Sequence, residues 1–283
     1  MRVLITGAAG MLGRDLQAAL AGREVTALSR ADLDVTDLDA VRAAVAGHDV
    51  VINAAAYTKV DDAETHETEA LAVNGTGAGN LATAAAGQGA RLVQYSTDYV
   101  FDGSATTPYA ESTAHNPVSA YGRTKAAGER LALEAHPDGT FVIRTAWLYG
   151  QHGPNFASTM LRLAGDRETV SVVNDQVGQP TWTADLAAQT LALLDSNAPA
   201  GIYHGTNAGS GSWFDFAREI FATAGLDPER VLPTDSASFV RPAPRPAYSV
   251  LGHEAWTAAG LAPMRDWREA LGAAFAAGAV AAP

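Results

Sequence analysis

Short apolar runs alternate with stretches of helical periodicity along the first half of the chain. The runs are rich in β-branched residues, as buried parallel strands are, and they cover residues 2–6, 24–28, 49–57, 91–97 and 140–145. The stretches between them predict helices over residues 14–21, 38–46 and 67–87, and one that begins just after Pro117. This alternation predicts an α/β fold built on a doubly wound parallel sheet. Ligands of such sheets bind beyond the carboxyl ends of the strands.

The first run leads directly into three glycines, Gly7, Gly10 and Gly13, which are followed by a predicted helix. A strand, a glycine turn and a helix in this order are typical of a dinucleotide site. In that reading the first glycine allows the tight turn, the second lets the backbone approach a pyrophosphate, and the third lets the helix pack closely. A loop of small residues is also ordinary turn chemistry, but its flanks favour nucleotide binding.

The second strand ends in Ser29-Arg30, where NAD-specific sites usually carry an acidic residue. A carboxylate would repel a ribose 2′-phosphate, whereas Arg30 can pair with one. This position therefore favours NADPH and leaves NADH possible. The alternative interpretation is a surface arginine in a turn.

The pattern becomes less regular after residue 150. It predicts helices over 156–164 and 212–222, a strand over 170–174, and a helix capped by Thr183. We predict a dinucleotide-binding domain over residues 1–150. Residues 151–283 would mainly form a smaller substrate-binding lobe, with a segment at about 165–200 returning to the sheet.

Composition excludes several classes of function. The chain has 283 residues, no cysteine and a formal charge of −12. An acidic chain is not expected to bind nucleic acid, and any phosphate ligand must be met by local N–H groups or a few arginines. No apolar run reaches the length of a membrane span and no signal sequence is visible, so we expect a cytoplasmic protein. The seven histidines show no ligand spacing, so we predict no metal site.

The predicted helix after Pro117 carries Tyr121 and Lys125, four residues apart and therefore on one face. We expect the ammonium to lower the pKa of the phenol and so make Tyr121 a general acid. Thr97, at the carboxyl end of the fourth strand, has a hydroxyl that can hydrogen-bond a substrate carbonyl. The alternative is a half-buried tyrosine and a solvated lysine on an ordinary amphipathic helix.

These features together resemble the extended short-chain dehydrogenase/reductases, and more narrowly the dTDP-4-dehydrorhamnose reductase family. The resemblance covers nearly the whole chain in order, and its most specific piece is Ser-Thr-Asp-Tyr-Val-Phe at residues 96–101. It implies a Rossmann-like domain with a substrate lobe. It also implies NAD(P)H-dependent reduction of the 4-keto group of a dTDP-4-dehydro-6-deoxy-L-hexose, with dTDP-4-dehydro-L-rhamnose as the first candidate.

The resemblance also implies roles for individual residues. Tyr121 would donate the proton, Lys125 would assist it and hold the nicotinamide ribose, and Thr97 would bind the reacting oxygen. The expected cofactor-binding residues are Gly7, Gly10, Met11, Leu12, Gly13, Ser29, Arg30, Asp34, Val35, Ala55, Ala56, Tyr57, Tyr95, Tyr121 and Lys125. The expected substrate-binding residues are Thr97, Asp98, Tyr99, Trp147, Asn155 and Arg245.

Some members of the family form dimers through magnesium held by long acidic side chains. The matching positions here are the shorter Asp15 and Asp185, so neither that metal nor that dimer is predicted, and a monomer and a homodimer both remain open. Arg241 and Arg245 lie in a proline-rich segment and are either substrate-phosphate ligands or surface arginines.

Four alternative functions remain. One is a 4-ketoreductase for another dTDP-deoxysugar of a natural-product pathway, and another is a non-catalytic, nucleotide-binding regulatory relative. A dehydratase commonly needs an acid directly after the Thr-Asp pair, where this chain has Tyr99. An epimerase retains its NAD, which Ser29-Arg30 does not favour.

Overall fold

The computed structural model describes residues 1–281. Its strands, in chain order, are β1 (Arg2–Thr6), β2 (Glu24–Leu28), β3 (Val50–Asn53), β4 (Arg91–Thr97), β5 (Thr140–Thr145), β6 (Leu148–Tyr149), β7 (Val170–Val173), β8 (Val177–Gly178), β9 (Thr181–Trp182), β10 (Gly201–His204), β11 (Gly211–Ser212) and β12 (Val231–Thr234). Six of them form a parallel sheet in the order β2-β1-β3-β4-β5-β10. The order reverses between β1 and β3, and this reversal marks the expected ligand crevice.

The helices cover both faces of this sheet. They are α1 (Met11–Ala19), α2 (Leu38–Val45), α3 (Glu67–Leu71), α4 (Gly77–Gln88), α5 (Ala120–Ala135), α6 (Phe156–Asp166), α7 (Thr183–Leu194), α8 (Trp213–Thr223), α9 (Glu254–Ala258) and α10 (Trp267–Ala276). Helices α1 and α7 bury leucines against one face, and α2, α4 and α5 cover the other. The doubly wound fold predicted from the sequence is therefore confirmed.

Most predicted elements occur with small shifts of their ends. β1, β2, β4 and β5 have the predicted bounds, whereas α1 begins three residues earlier than predicted, because Gly10 is its N-cap. The helix predicted over 67–87 is divided by a π-turn at Ala72–Thr76. The prediction that Thr183 caps α7 was wrong: Trp182 is the N-cap, and the Thr183 hydroxyl donates to the Tyr149 carbonyl oxygen at 3.1 Å.

A second hydrophobic core lies among α6, α8, α10 and the β7–β12 pair. It buries aromatic and aliphatic side chains including Tyr149, Met160, Phe216 and Trp267. β7 pairs with β12 rather than with the main sheet. The chain returns to that sheet through α7, which lies within the predicted 165–200, and through β10, which follows it. Among residues 1–281, no helix is long and apolar enough to cross a membrane.

Helix α5 lies unusually close to the π-turn. A Cβ added at Gly128 would overlap the backbone carbonyl oxygen of Asn74, which cannot move without shifting the turn. Glycine at this position therefore lets α5 approach the π-turn closely. The position of α5 in turn decides how deeply Tyr121 and Lys125 are buried.

We expect Gly128→Ala to destabilise the protein by about 1–3 kcal/mol, because the extra methyl group forces the two segments apart. Urea unfolding measures the change. Gly87→Ala in α4 is the matched control: nothing lies within 4 Å of the added Cβ, and alanine favours a helix by about 0.5–1 kcal/mol over glycine. Equal stability of Gly128→Ala and the wild type would contradict this close packing.

Candidate active site

The loop after β1 lies against the loop after β3. Gly7 has φ +67°, and a Cβ there would lie 2.5 Å from the Ala55 backbone nitrogen, so only glycine fits. Gly10 caps α1 without a side-chain hydrogen bond, and the first turn of α1 holds no acidic residue. Since the first N–H groups of a helix need acceptors, this turn is suited to an anion such as a pyrophosphate.

The end of β2 lies beside this loop, because the Ala8 amide donates to the Leu28 carbonyl oxygen at 3.1 Å. Asp32 accepts hydrogen bonds from the Ser29 amide at 2.9 Å and from its hydroxyl at 2.6 Å. These bonds lower the pKa of Asp32 and close a turn that leaves Arg30 exposed. The Ser29 hydroxyl therefore already donates a hydrogen bond within the turn. The Arg30 side chain, at the end of β2, is exposed and can reach a ligand.

Asn74, in the π-turn, fixes the segment that follows β3. Its side-chain oxygen accepts from the Tyr57 amide at 2.8 Å, and its side-chain nitrogen donates to the Tyr57 carbonyl and to the Thr124 hydroxyl, both at 3.1 Å. The residue thus connects Ala55–Tyr57 to α5. Sequence analysis placed Asn74 in a helix without a role; a π-turn has no clear sequence signal, although such turns are frequent at functional sites.

Lys125 is buried, and its ammonium donates to the backbone carbonyl oxygen of Tyr95 at 2.7 Å. The same carbonyl accepts from the Gln94 side chain at 2.8 Å. A chain of buried hydrogen bonds continues from Gln94 to Asn53 at 2.7 Å and from Asn53 to Thr6 at 2.6 Å. Polar side chains at the ends of β1, β3 and β4 therefore fix the carbonyl that receives the lysine.

Tyr95 contributes to this site through its backbone. Its ring packs with Leu186 in the core on the α1–α7 face, and its hydroxyl hydrogen-bonds the Thr190 hydroxyl at 2.6 Å. Burial raises the pKa of this phenol. The ring therefore lies on the side of the sheet opposite to α5, because alternate residues of a strand face opposite sides. That Tyr95 lines the cofactor stays a prediction.

Tyr121 lies at the carboxyl end of β4. Its ring meets the Tyr99 ring edge-on, with centroids 5.7 Å apart, and a Cβ at Gly122 would overlap the Tyr99 carbonyl oxygen. Burial and, to a lesser degree, the Asp98 carboxylate raise the pKa of Tyr121 to about 12, and the Thr97 hydroxyl opposes them. The expectation of a lowered Tyr121 pKa was wrong, because the loss of water around the phenol raises that pKa more than any neighbouring group lowers it.

Thr97 and Asp98 end β4 within the same buried region. The Thr97 hydroxyl donates to one Asp98 carboxylate oxygen at 2.9 Å and accepts from the Tyr99 amide at 3.2 Å. The other Asp98 oxygen is buried and has no hydrogen-bond partner among residues 1–281. The hydroxyl of Thr145, on the neighbouring strand β5, is likewise buried without a partner in that range. Burial raises the pKa of Asp98 to about 6, although the Ser249 and Thr97 hydroxyls act against it.

Trp147 follows β5 in a left-handed conformation with φ +46°, which is rare for a bulky residue. Its ring stacks on Trp213 of α8, with centroids 3.6 Å apart and planes 11° from parallel. A Cβ at Gly178 would lie 2.6 Å from the Trp147 ring. The stack therefore fixes Trp147 between the sheet and the second lobe; Trp213 itself was not predicted.

Two of the residues predicted to bind substrate, Asn155 and Arg245, make hydrogen bonds within the protein. The Asn155 side chain caps α6 by accepting from the Ser158 amide at 3.0 Å, and it donates to the Gly150 carbonyl oxygen at 3.0 Å. Arg245 donates to Asp61 at 2.8 Å, and Arg241 binds the same carboxylate. Burial raises the pKa of Asp61, but the two arginines outweigh it and hold that pKa at about 2.

The two acidic positions compared with the magnesium-linked relatives have different surroundings. The Asp185 carboxylate pairs with Arg265 at 2.7 Å and accepts from Asn207 at 2.8 Å. Asp15 has a buried carboxylate oxygen without a partner within residues 1–281. No group of three His, Asp or Glu side chains in that range is placed to hold a metal ion.

The comparisons agree with this geometry. Residues 1–279 match the family model described as the RmlD substrate binding domain. The chain belongs to this family. A Streptomyces griseus protein named dTDP-4-dehydrorhamnose reductase is 54% identical to the RmlD-family chain described here, over 98% of this chain and 93% of its own length. A Streptomyces niveus protein named dTDP-4-keto-6-deoxy-D-glucose reductase is 52% identical, over 97% of this chain and 96% of its own.

Among solved structures, the dTDP-4-dehydrorhamnose reductase of Bacillus anthracis in complex with NADP resembles this RmlD-family chain throughout. Its TM-score is 0.94 at 41% identity, with 98% of this chain and 99% of that chain covered. The family recognised from the sequence is therefore confirmed.

We expect Asp98→Asn to stabilise this member of the RmlD family at pH 7.5 by up to about 3 kcal/mol, because the amide avoids burying a charge. The folded-state pKa of Asp98 is raised from 3.8 to about 6. The protonated acid is therefore the form that folding favours: its contribution to stability is complete below pH 3.8 and is lost as the pH rises through about 6.

The gain from Asp98→Asn should thus disappear at pH 4, and urea unfolding at both pH values measures it. The exposed Asp138→Asn serves as the control and should differ little at either pH. A gain that is equal at pH 4 and 7.5 would show that the charge of Asp98 is not its source.

Proposed function

We propose that this chain is an NADPH-dependent reductase of the 4-keto group of a dTDP-4-dehydro-6-deoxy-L-hexose, with dTDP-4-dehydro-L-rhamnose as the first candidate substrate. The observation that carries the proposal is the convergence of three groups at one end of β4: the Tyr121 phenol, the buried Lys125 ammonium and the Thr97 hydroxyl. The name of the Streptomyces griseus relative supports the same reaction, and that of the Streptomyces niveus relative supports reduction of a 4-keto group on a dTDP-6-deoxysugar.

The cofactor, when bound, supplies the hydride that is added to the C4 carbon. Tyr121 donates its proton to the C4 oxygen, so that the ketone becomes an alcohol. A phenol with a pKa of about 12 is protonated near neutral pH, and its proton is therefore available. We assign Thr97 to hydrogen-bonding the same oxygen as charge builds on it; in the structure this hydroxyl points to Asp98.

Lys125 stays close to Tyr121 because the two residues are one helical turn apart and its ammonium is held by the Tyr95 carbonyl. Its positive charge stabilises the phenolate that remains after proton transfer. We also assign it to the hydroxyl groups of the nicotinamide ribose, which an ammonium with three donors can bind.

The dTDP-sugar must be bound in a protein of net charge −12. We propose that Arg241 and Arg245 supply the local positive charge for its diphosphate. The pair carries two charges against the single carboxylate of Asp61 and is thus left with an excess of one. The unpaired oxygen of Asp98 is a suitable acceptor for a sugar hydroxyl, and Trp147 offers a flat apolar face to the ring.

A second candidate is a 4-ketoreductase that makes another deoxysugar in a natural-product pathway. It is favoured by the Streptomyces niveus relative, whose name gives a dTDP-4-keto-6-deoxy-D-glucose substrate. Both candidates use the same residues. The rate of turnover with each keto sugar distinguishes them, because the L and D substrates differ at C5, and NMR of the product gives the configuration of the new alcohol at C4. A regulatory relative without catalysis is disfavoured by the intact Tyr121, Lys125 and Thr97.

We expect Tyr121→Phe to lower kcat for NADPH oxidation with the keto sugar by about 10²- to 10⁴-fold, because the proton donor is lost. The affinity for NADPH, measured by fluorescence titration, should change little. Tyr109→Phe removes a phenol that binds Asp102 instead and serves as the control. Near-normal turnover of Tyr121→Phe would mean that the proton comes from another group, and a wild-type protein inert with every such sugar would refute the function itself.

We expect Arg30→Ala to weaken NADPH binding about tenfold or more and NADH binding little, because only NADPH carries the 2′-phosphate. Equilibrium titration with each cofactor measures the two constants. Arg42→Ala, an exposed arginine on α2 paired with Asp39, is the control. An equal loss for the two cofactors would rule out the assigned contact.

A further inference from the structure

One buried charge on the catalytic helix has no part in the function proposed above. Glu129 follows Tyr121 and Lys125 at the same four-residue spacing, so all three lie along one face of α5. Its side chain is fully buried. A buried carboxylate is costly unless its oxygens are paired, so its position one turn beyond Lys125 needs an explanation.

The carboxylate of Glu129 is bound from three directions. Arg144 of β5 donates to it through Nε at 3.0 Å and through Nη2 at 2.8 Å. Ser96 of β4 donates its hydroxyl, and His115 approaches at 2.8 Å from the loop before α5. Burial acts to raise the pKa of Glu129, but His115 and Arg144 lower it to about 2. The negative charge is therefore permanent near neutral pH and fixed in place.

The sheet register aligns the residues that bind this carboxylate. Ser96 pairs with Arg144 across β4 and β5, and Arg144 pairs with His204 across β5 and β10. Burial lowers the pKa of His204 to about 3, so the ring is neutral. Its Nδ1–H donates to the Gly252 carbonyl at 2.8 Å, which leaves Nε2 as an acceptor 3.4 Å from Arg144 Nη1. Three strands thus support one carboxylate.

Lys125 lies on the same face and depends on this charge. Burial lowers the pKa of Lys125 to about 8, and Glu129 is the acidic group that raises it again. The other ionisable groups around this face are Tyr121 on α5, Asp98 after β4 and Arg144 on β5. Asp98 acts on the Tyr121 phenol, whereas Glu129, one helical turn beyond Lys125, acts on the ammonium.

We propose that Glu129 is a positioning residue for Lys125: its fixed carboxylate, one helical turn away on the same buried face, keeps the ammonium protonated where the Tyr95 carbonyl oxygen holds it. This inference rests on the role that the proposed function gives to Lys125. The competing explanation is that the Glu129–Arg144 pair only attaches α5 to the sheet. The two differ in the protonation of Lys125, which a purely structural ion pair would not change.

The chain contains only two lysines, Lys59 and Lys125, so this protonation can be measured directly. In protein labelled with ¹³C-lysine, NMR titration should give two Cε signals, and Lys59→Arg identifies the exposed one. The Lys125 signal of the wild type should titrate near pH 8. In Glu129→Gln its midpoint should fall by about one pH unit or more, because the neighbouring negative charge is gone.

Two variants sharpen the result. Glu129→Asp keeps the charge and should return most of the shift. Glu134→Gln removes an exposed carboxylate of the same helix, paired only with Arg130, and should leave the midpoint unchanged. Glu129→Gln leaves the Arg144 charge buried without its partner and therefore lowers stability. The double variant Glu129→Gln/Arg144→Met removes both charges and is expected to fold, so it is measured alongside. The double variant should show a smaller fall in the same direction, because the positive charge of Arg144 is removed together with the carboxylate.

The pH profile of kcat provides the functional measurement. Protonated Lys125 is required, so activity is lost as the pH rises through its pKa, and this alkaline limb should move to lower pH together with the NMR midpoint. An unchanged Lys125 midpoint in folded Glu129→Gln or in the double variant would overturn the inference. The NMR titration needs no substrate, so a failure of the proposed reaction would leave this result readable on its own.

Discussion

The close attachment of α5 to the middle of the sheet determines the site. The buried pair of Glu129 and Arg144 joins the helix to β5, and Gly122 and Gly128 let its backbone approach β4 and the π-turn. Burying two charges costs several kcal/mol for each ion, and only the hydrogen bonds from Ser96, His115 and Arg144 offset this. Such a pair contributes little net stability, but breaking it would displace the helix that carries Tyr121 and Lys125.

The carboxyl ends of the central strands are more polar than a sheet core requires. Thr6, Asn53 and Gln94 form a hydrogen-bonded row on one side of Lys125, and Ser96 and Arg144 form another beside Glu129. Every group in these rows has a partner, whereas the outer oxygen of Asp98 has none among residues 1–281. A buried acceptor without a hydrogen-bond partner lowers the stability of the fold. Such a loss is expected where the acceptor is kept free to bind a ligand.

Two contacts connect the sheet to the second lobe near this site. Trp147 keeps a strained backbone conformation because its ring stacks on Trp213. Gly178, which has no side chain, leaves room for that ring. Asp61, which follows β3, binds Arg241 and Arg245 from a segment 180 residues away. Asp61 and Arg245 lie near Tyr99, which follows β4, and Trp147 follows β5, the strand beside it. The same few side chains therefore affect both the relative position of the lobes and the shape of the site.

The sequence alone determined the alternation of strands and helices, the glycine turn after β1 and the spacing of Tyr121 and Lys125, because each depends on neighbours within a few residues. It could not give the direction of the Tyr121 pKa shift, since burial comes from segments distant in the chain. Nor could it show that Asn155 is used as a helix cap, that Arg245 binds Asp61, or that the Tyr95 ring faces the opposite side of the sheet. Only the folded chain decides which partners reach a polar side chain and how much water remains around it.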